Sequence, residues 1–324
     1  MTKYLLRRLI QMIPLLLAIS ILSFLLMHLA PGDPTAMYID PTKSTAGSFE
    51  AQALLRKQLG LDEPVHIQYA KWLANTLQGN WGYSLVNRQT VWSNIMSRLP
   101  NTALLGGVSM VLALVFSIPI GIISAIKQYS LFDYLATALA FVGISVPTFW
   151  LGLMFMHIFG YRLMWLPVVG MRSVYHQYTG WPAVWDVGRH LILPATVLAM
   201  YSMASWTRYT RSSILETVGM DYIRTARSKG LREAAVVLRH VLRNALIPVI
   251  TLLGLSLPNL VGGAFVTEMV FGWPGMGRLG INAIMGRDYP LIMGVTMVSS
   301  LMVVAGNLLA DVAYAWADPR ISLK

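Results

Sequence analysis

Long apolar stretches alternate with short polar ones along this chain, and the apolar stretches have a common length. Because the hydrocarbon layer of a membrane is about 30 Å thick, a helix that spans it needs about 20 residues without uncompensated charge. Six runs meet that requirement: Leu9 to Leu29, Leu99 to Ile126, Tyr134 to Tyr161, His190 to Thr207, Asn244 to Thr267 and Tyr289 to Ala310. All six are expected to be helices, since an open strand would leave backbone groups unpaired in lipid. Prolines interrupt several of them, with Pro119 in the second, Pro147 in the third, and Pro248 and Pro258 in the fifth, while Pro194 begins the fourth. In a membrane bundle such prolines are tolerated where neighbouring helices or a water-lined cavity satisfy the freed backbone groups.

Between the first two runs lies a long polar segment. It opens with Ala30-Pro-Gly-Asp-Pro34, which forces the chain out of helix. Two stretches within it, Glu50 to Gly60 and Val65 to Gly79, space their apolar residues as amphipathic helices do, and each ends in a glycine suited to a C-terminal cap. They are expected to lie over the outer mouth of the bundle. The chain thus divides into an N-terminal segment with the first span (1–30), an outer segment (31–98) and a five-helix core (99–324) that contains a basic loop at 208–243.

Composition agrees with the pattern. Hydrophobic residues make up 56% of the 324 positions, charged residues only 12%, and the mean hydropathy is +0.57. A soluble domain carries roughly 25% charged residues. The first run follows Lys3, Arg7 and Arg8 as a secretory signal would, but it is longer than a signal core and lacks a small-residue cleavage site, so it reads as a retained anchor. With the N-terminus inside, the inner segments hold 14 Lys and Arg residues and the outer ones 11, of which six fall in the long outer segment, where the positive-inside rule is weak. Both termini are therefore expected on the cytoplasmic side. The net charge of +11 reads as topology and contact with anionic membrane lipid, and needs no nucleic-acid partner.

Several chemistries have no parts here. Zero cysteines exclude disulfides and thiolate metal sites, and the six histidines lack ligand spacing. ATP hydrolysis requires a phosphate loop whose lysine follows a glycine, and none of the seven lysines does. The chain itself is expected to be no enzyme and to bind no cofactor. A gradient-driven transporter would need ionisable groups along its path, and only Glu268 and Asp311 adjoin the runs.

The basic loop places eight Lys and Arg residues between Arg208 and Arg243. Inside it, Asp221 stands where it could cap a helix and Gly230 where a left-handed residue would end one. On the two turns between, Tyr222, Ile223 and Ala226 share a side, while Arg224, Arg227 and Lys229 spread round the rest. A second helix from Leu231 carries Val237, Val241 and Leu242 towards the fifth run. A bare topology signal needs the charge alone, a lipid-surface helix needs the charge and the stripe, and a helix docking on a cytosolic partner needs these and both caps.

The stretch Asp221-Tyr-Ile-Arg-Thr-Ala-Arg-Ser-Lys-Gly-Leu231, followed by Leu238 to Thr251, resembles the cytoplasmic loop of permease subunits of ATP-binding-cassette importers, in their peptide and nickel branch. Further stretches are similar to that branch in the same order: Ala30 to Pro34, Leu59 to Pro64, Arg98 to Thr102, Thr267 to Leu279, Arg287 to Pro290 and Asp318 to Ile321. The first permease of oligopeptide or dipeptide importers is the nearest likeness. The literal Glu233-Ala-Ala235 is out of register with the family's motif, because Arg239 stands where the motif has glycine; Arg224, Thr225 and Ala226 have Gly230 at that distance instead.

The resemblance implies a six-span all-α permease of a bacterial or archaeal plasma membrane. It implies a second permease as partner, two cytosolic ATPases that hold ATP and Mg, and an extracytoplasmic binding protein. Asp221, Tyr222, Ile223, Arg224, Thr225, Ala226, Arg227, Ser228, Lys229, Gly230 and Leu231 would form the ATPase-coupling helix, and Glu268 and Trp273 would be outer-mouth or substrate contacts. For Glu268 a structural salt bridge with Arg278 or Arg287 is the alternative. Nickel, glutathione and oligosaccharide are the alternative solutes.

Overall fold

The computed structural model describes residues 2–29, 50, 54, 56–57, 61–175, 178–232, 235–245, 249, 253–254, 256 and 264–317. Among them the regular structure is helical: α1 (Thr2–Leu29), α2 (Val65–Leu77), α3 (Val91–Ile126), α4 (Leu131–Ser145), α5 (Thr148–Phe155), α6 (Trp181–Val218), α7 (Asp221–Ser228), α8 (Leu242–Ala245), α9 (Phe265–Val270), α10 (Met276–Met285) and α11 (Tyr289–Ala317). Wider π turns extend α5 over Met156–Arg162 and precede α8 over Val236–Val241. The Ala30 to Pro34 stop, most of the first outer amphipathic segment and of the fifth apolar run, Glu233 with Ala234, and Asp318 to Ile321 lie outside the described residues.

Among the described residues, three helices are long and apolar enough to cross a membrane, within Leu6–Leu29, Val91–Ile126 and Tyr289–Asp311. The third run is not one straight span. Its two halves, Leu131–Ser145 and Thr148–Arg162, meet at 106°. Pro147 causes the break: it has no N–H for the helix and its ring drives the preceding residue out of the α region, so Val146 sits at φ −83°, ψ 126°. The fourth run is contained in α6, which extends beyond it at both ends to 38 residues.

Capping fixes where these helices begin. Thr90 accepts a hydrogen bond from Ser93 N at 3.2 Å and starts α3 eight residues before the apolar run. Ser130 does the same for α4 through Asp133 N. The second outer amphipathic segment forms α2 and ends where Gly79 takes φ 84°. Its aromatic side packs on α1: Tyr69 and Trp72 lie against Phe24, Met27 and Met293, and Ser20 Oγ bonds the Tyr69 hydroxyl at 2.8 Å. His28 joins the same contact, bonding Phe24 O at 2.9 Å and Gln68 Oε1 at 3.0 Å.

The α3 and α6 helices form the closest long contact of the core. Gly121 permits it, since a Cβ there would lie 2.7 Å from Thr210 Cβ and 2.9 Å from Thr207 O. Around this pair, Leu105, Leu191, Ala195, Ala264 and Trp273 make one buried cluster, and Val91, Ile95, Met276, Ala283, Leu291, Val295 and Val298 make another where α3, α10 and α11 meet.

Candidate functional site

The coupling-helix segment folds as a helix, but two of its residues differ from expectation. Asp221 does not cap it. Met220, in extended backbone, occupies the cap position, and Asp221 is the first helical residue with its side chain 96% exposed and 3.7 Å from Arg224. A carboxylate there still complements the N-terminal dipole. Tyr222 does not share the buried side. Ile223 and Ala226 face inward and pack with Ala125, Ile214, Val236, Val241 and Ala245, whereas Tyr222 turns outward and its hydroxyl accepts from Asn244 Nδ2 at 3.0 Å.

The stripe read as an anchor for a partner is thus used within the chain. A helix of eight residues is unstable alone, and complete burial of Ile223 in the cluster it shares with Val236 and Val241 of the following turn, and with Ala125 and Ile214 at the ends of α3 and α6, is what holds α7 in place. Ser213 Oγ adds a bond to Ala245 O at 2.9 Å, tying α6 to α8. Gly230 ends the helix as expected, at φ 75°, with its N–H on Arg227 O at 2.9 Å. Facing outward are Asp221, Tyr222, Arg224, Thr225, Arg227, Ser228, Lys229, Gly230 and Leu231, a short rigid surface with a basic rim.

At the other end of the core, the Arg98 to Thr102 and Thr267 to Leu279 stretches meet. Glu268 is fully buried and makes no ion pair with Arg278 or Arg287 among the described residues. Instead it accepts from Thr102 Oγ1 at 2.6 Å and from Arg278 N at 3.1 Å. Thr102 Oγ1 accepts in turn from Met276 N at 2.7 Å. Trp273 is also fully buried, and its indole donates to Asn101 O at 2.9 Å while Asn101 Nδ2 donates to Pro274 O at 2.8 Å. Neither side chain is presented to a mouth. They are the centre of a packed knot, and Gly275 lets the chain wrap round it, because a Cβ there would fall 2.2 Å from Glu268 Cδ.

The Arg287 to Pro290 stretch does comparable work. Asp288 is buried and accepts from Ser84 Oγ, from Leu85 N at 3.1 Å and from Leu291 N at 3.3 Å, so it both caps α11 and holds the loop before α3. Asp186 lies ahead of the apolar run of α6 and accepts from Ser173 N at 2.7 Å and Ser173 Oγ at 2.6 Å. Burial pushes its carboxyl up, but the two Ser173 bonds and the charges on His190 and Arg189 outweigh that and hold it below the ordinary value. Asp311 pairs with Arg8 at 3.2 Å and joins α11 to α1.

Sequence reasoning missed one charged pair. Arg211 on α6 meets Asp133 on α4 through two bonds, Nε to Oδ1 at 2.7 Å and Nη2 to Oδ2 at 2.8 Å. The only sequence signal was Ser130 three residues before Asp133, the spacing of a capping box; nothing pointed to the partner.

Of the motif stretches, Arg98 to Thr102 and Thr267 to Leu279 are brought together at one end of the core, and comparison with known proteins identifies the family. Residues 117–323 match the family described as binding-protein-dependent transport system inner membrane component, and residues 1–106 match the N-terminal family of the same membrane component. The chain belongs to this family. As an inner membrane component of such a transport system, it is 47% identical to the oligopeptide transport system permease protein AppB of Bacillus subtilis over 322 residues, 99% of each chain. It is 42% identical to the glutathione transport system permease protein GsiC of Salmonella typhimurium over 324 residues, all of both chains. The crystal structure of an amino acid ABC transporter with histidines shares its fold, with a TM-score of 0.54 at 14% identity over 69% of this chain and 94% of that one.

Proposed function

We propose that this inner membrane component is one of two permease subunits that together form the pathway of an ATP-driven importer of oligopeptides or dipeptides. The observation that carries the reading is the end-to-end likeness to the AppB permease, at 47% identity across 99% of both chains. In this reading the chain crosses the membrane six times with both termini cytoplasmic, as the distribution of Lys and Arg favours. The other permease, two cytosolic ATPases that hold ATP and Mg, and an extracytoplasmic binding protein complete the machine. Glutathione is the second solute to test, because relatives at 42% identity carry that name.

The exposed side of α7 is the surface on which the ATPases act. When ATP draws the ATPase pair together, α7 moves with its groove, and because Ile223 and Ala226 are buried in one cluster with Val236, Val241, Ala125 and Ile214, the displacement passes through that cluster to α3 and α6. A gradient-driven mechanism has little to work with, since Asp311 is engaged by Arg8 and Glu268 by Thr102 and backbone N–H groups.

Gly230 offers a clean test, because a Cβ at this position meets nothing within 4 Å. Gly230→Ala then carries only the backbone strain of positive φ, on the order of 1 kcal/mol. Gly230→Glu adds a bulky acid to the docking surface without disturbing the interior. In proteoliposomes the alanine variant should keep most ATP-dependent peptide uptake, while the glutamate variant should lose it and either shed the ATPases or hydrolyse ATP without transport. Wild-type uptake by Gly230→Glu would refute the coupling role. Failure of the ATPases to co-purify with the wild-type chain would refute the importer reading as a whole.

A further inference from the structure

We infer that Asp133 and Arg211 form a positioning link that makes α4 follow α6 when α7 is displaced. The inference rests on the coupling role proposed for α7. Arg211 stands two turns before the end of α6 at Val218, and α7 begins at Asp221. Its guanidinium engages both oxygens of Asp133, so the contact fixes the relative rotation of the two helices as well as their distance. Asp133 is 2% exposed and also accepts from Ser124 Oγ at the end of α3 and from Tyr129 N at 3.0 Å in the turn between α3 and α4. One carboxylate thus gathers α3, the turn, α4 and α6.

The packing around the pair shows why the link matters. The α3 and α6 helices touch closely at Gly121, which lies directly against the Thr210 side chain and Thr207 O, and packing this close leaves them little room to move separately. Between α4 and α6 there is instead a cavity of about 230 Å³, with Thr137, Ala140 and Phe141 on one side and Ala204 and Thr207 on the other. Beyond it the helices meet again at Gly143, where a Cβ would lie 3.5 Å from Ala204 Cβ. The hollow opens beside Arg208 and Arg211, so the ion pair is the directional tie where the two helices part at the α7 end. A buried pair contributes little net stability compared with apolar residues of the same volume. Its particular contribution is orientation.

The displacement has somewhere to go. At the Pro147 break α4 gives way to α5, and Gly152 of α5 lies close against the outer turn: a Cβ on it would come 3.1 Å from Phe271 Cε2 and 3.2 Å from Val270 Cγ1. Phe271 immediately precedes the segment wrapped round Glu268. The link therefore joins the helix that receives the ATPase motion to the turn at the opposite end of the core.

The test uses the complete importer in proteoliposomes with its binding protein, a mixed pentapeptide pool as substrate, and uptake and ATP hydrolysis measured together. Arg211→Lys keeps the charge and removes the two-point fork. It should retain bound ATPases and their hydrolysis while peptide taken up per ATP falls at least about fivefold, the lower range of measured couplings between sites. The paired change Asp133→Leu with Arg211→Met removes both charges at once; it also takes a partner from Ser124 Oγ and Tyr129 N, so it should melt somewhat below wild type, yet it should assemble with its ATPases and show the same uncoupling. Wild-type uptake per ATP in the paired variant would overturn the inference, and so would failure of both variants to assemble, since a pair required for folding is not a transmission element. If the wild-type complex shows no ATP-dependent uptake, the importer reading fails instead.

Discussion

Replacing Thr102 by valine isolates the knot at the end of α3. Valine keeps the shape of threonine and removes one hydroxyl, which is fully buried and bonded twice, donating to Glu268 at 2.6 Å and accepting from Met276 N at 2.7 Å. Two buried polar groups lose a partner in Thr102→Val. Leaving such a group unsatisfied costs about 1–3 kcal/mol, towards the upper end for a carboxylate. Glu268 keeps its bond from Arg278 N, so the total should be roughly 3–4 kcal/mol. Thr102→Ser keeps both bonds and loses only a methyl group, about 1 kcal/mol. At about 2–4 °C per kcal/mol, the valine variant should melt roughly 10 °C below wild type and the serine variant about 3 °C below. The chain has ten tryptophans, Trp273 of the knot among them, so tryptophan fluorescence of the purified protein follows its unfolding as a whole. If the two variants melt within about 2 °C of each other, the hydroxyl is not what holds the knot and the reasoning is wrong.

Other expectations follow from the same contacts. Glu268→Gln should lower stability, because an amide has one acceptor oxygen where the carboxylate uses both, but should leave apparent affinity for peptide unchanged; a large rise in the half-saturating concentration would restore a substrate role. Gly275→Ala should abolish folded expression, since its Cβ would fall 2.2 Å from Glu268 Cδ, whereas Gly107→Ala, with nothing within 4 Å, should be neutral or stabilise by up to about 1 kcal/mol; equal expression of both would refute the steric argument. Asp288→Ala should speed tryptic cleavage at Arg88 about tenfold, the equivalent of about 1.4 kcal/mol in local opening of the loop it holds, and an unchanged rate would show that the loop is held otherwise. Because the Asp186 carboxyl is held below its ordinary value of 3.8, its contribution is present above that pH and lost as pH falls through the folded value. The melting difference between wild type and Asp186→Asn should accordingly be full near neutrality and shrink below about pH 4, and a difference that grows with acid would reverse the assignment.

The apolar runs made the long helices legible because lipid demands length, and the glycine stops at Gly79 and Gly230 were readable because positive φ favours one residue type. Their starts were less so. Hydropathy marks where lipid contact begins, whereas Thr90 and Gly180 begin α3 and α6 outside those limits. The break at Pro147 was visible as an interruption, but its angle depends on what the two halves pack against. In the basic loop, helical spacing put Tyr222 beside Ile223 and Ala226, yet an aromatic ring with a hydroxyl can turn outward, as it does towards Asn244. Contacts across long separations were the least readable. Glu268 stood out as a carboxylate beside an apolar run, but nothing in the sequence named Thr102 as its partner; only folding brings the two together.

The α6 helix runs unbroken for 38 residues, about 57 Å at 1.5 Å per residue, roughly twice the hydrocarbon thickness. Asp186 anchors one end against Ser173, and the other leads through Gly219 into α7. A rod of that reach works as a rocker arm: a tilt of a few degrees at one end sweeps the other through several ångströms, without any relay of side-chain rearrangements along its length. Lipid-facing substitutions along its middle should leave transmission intact, since the helix stays continuous even through Pro194.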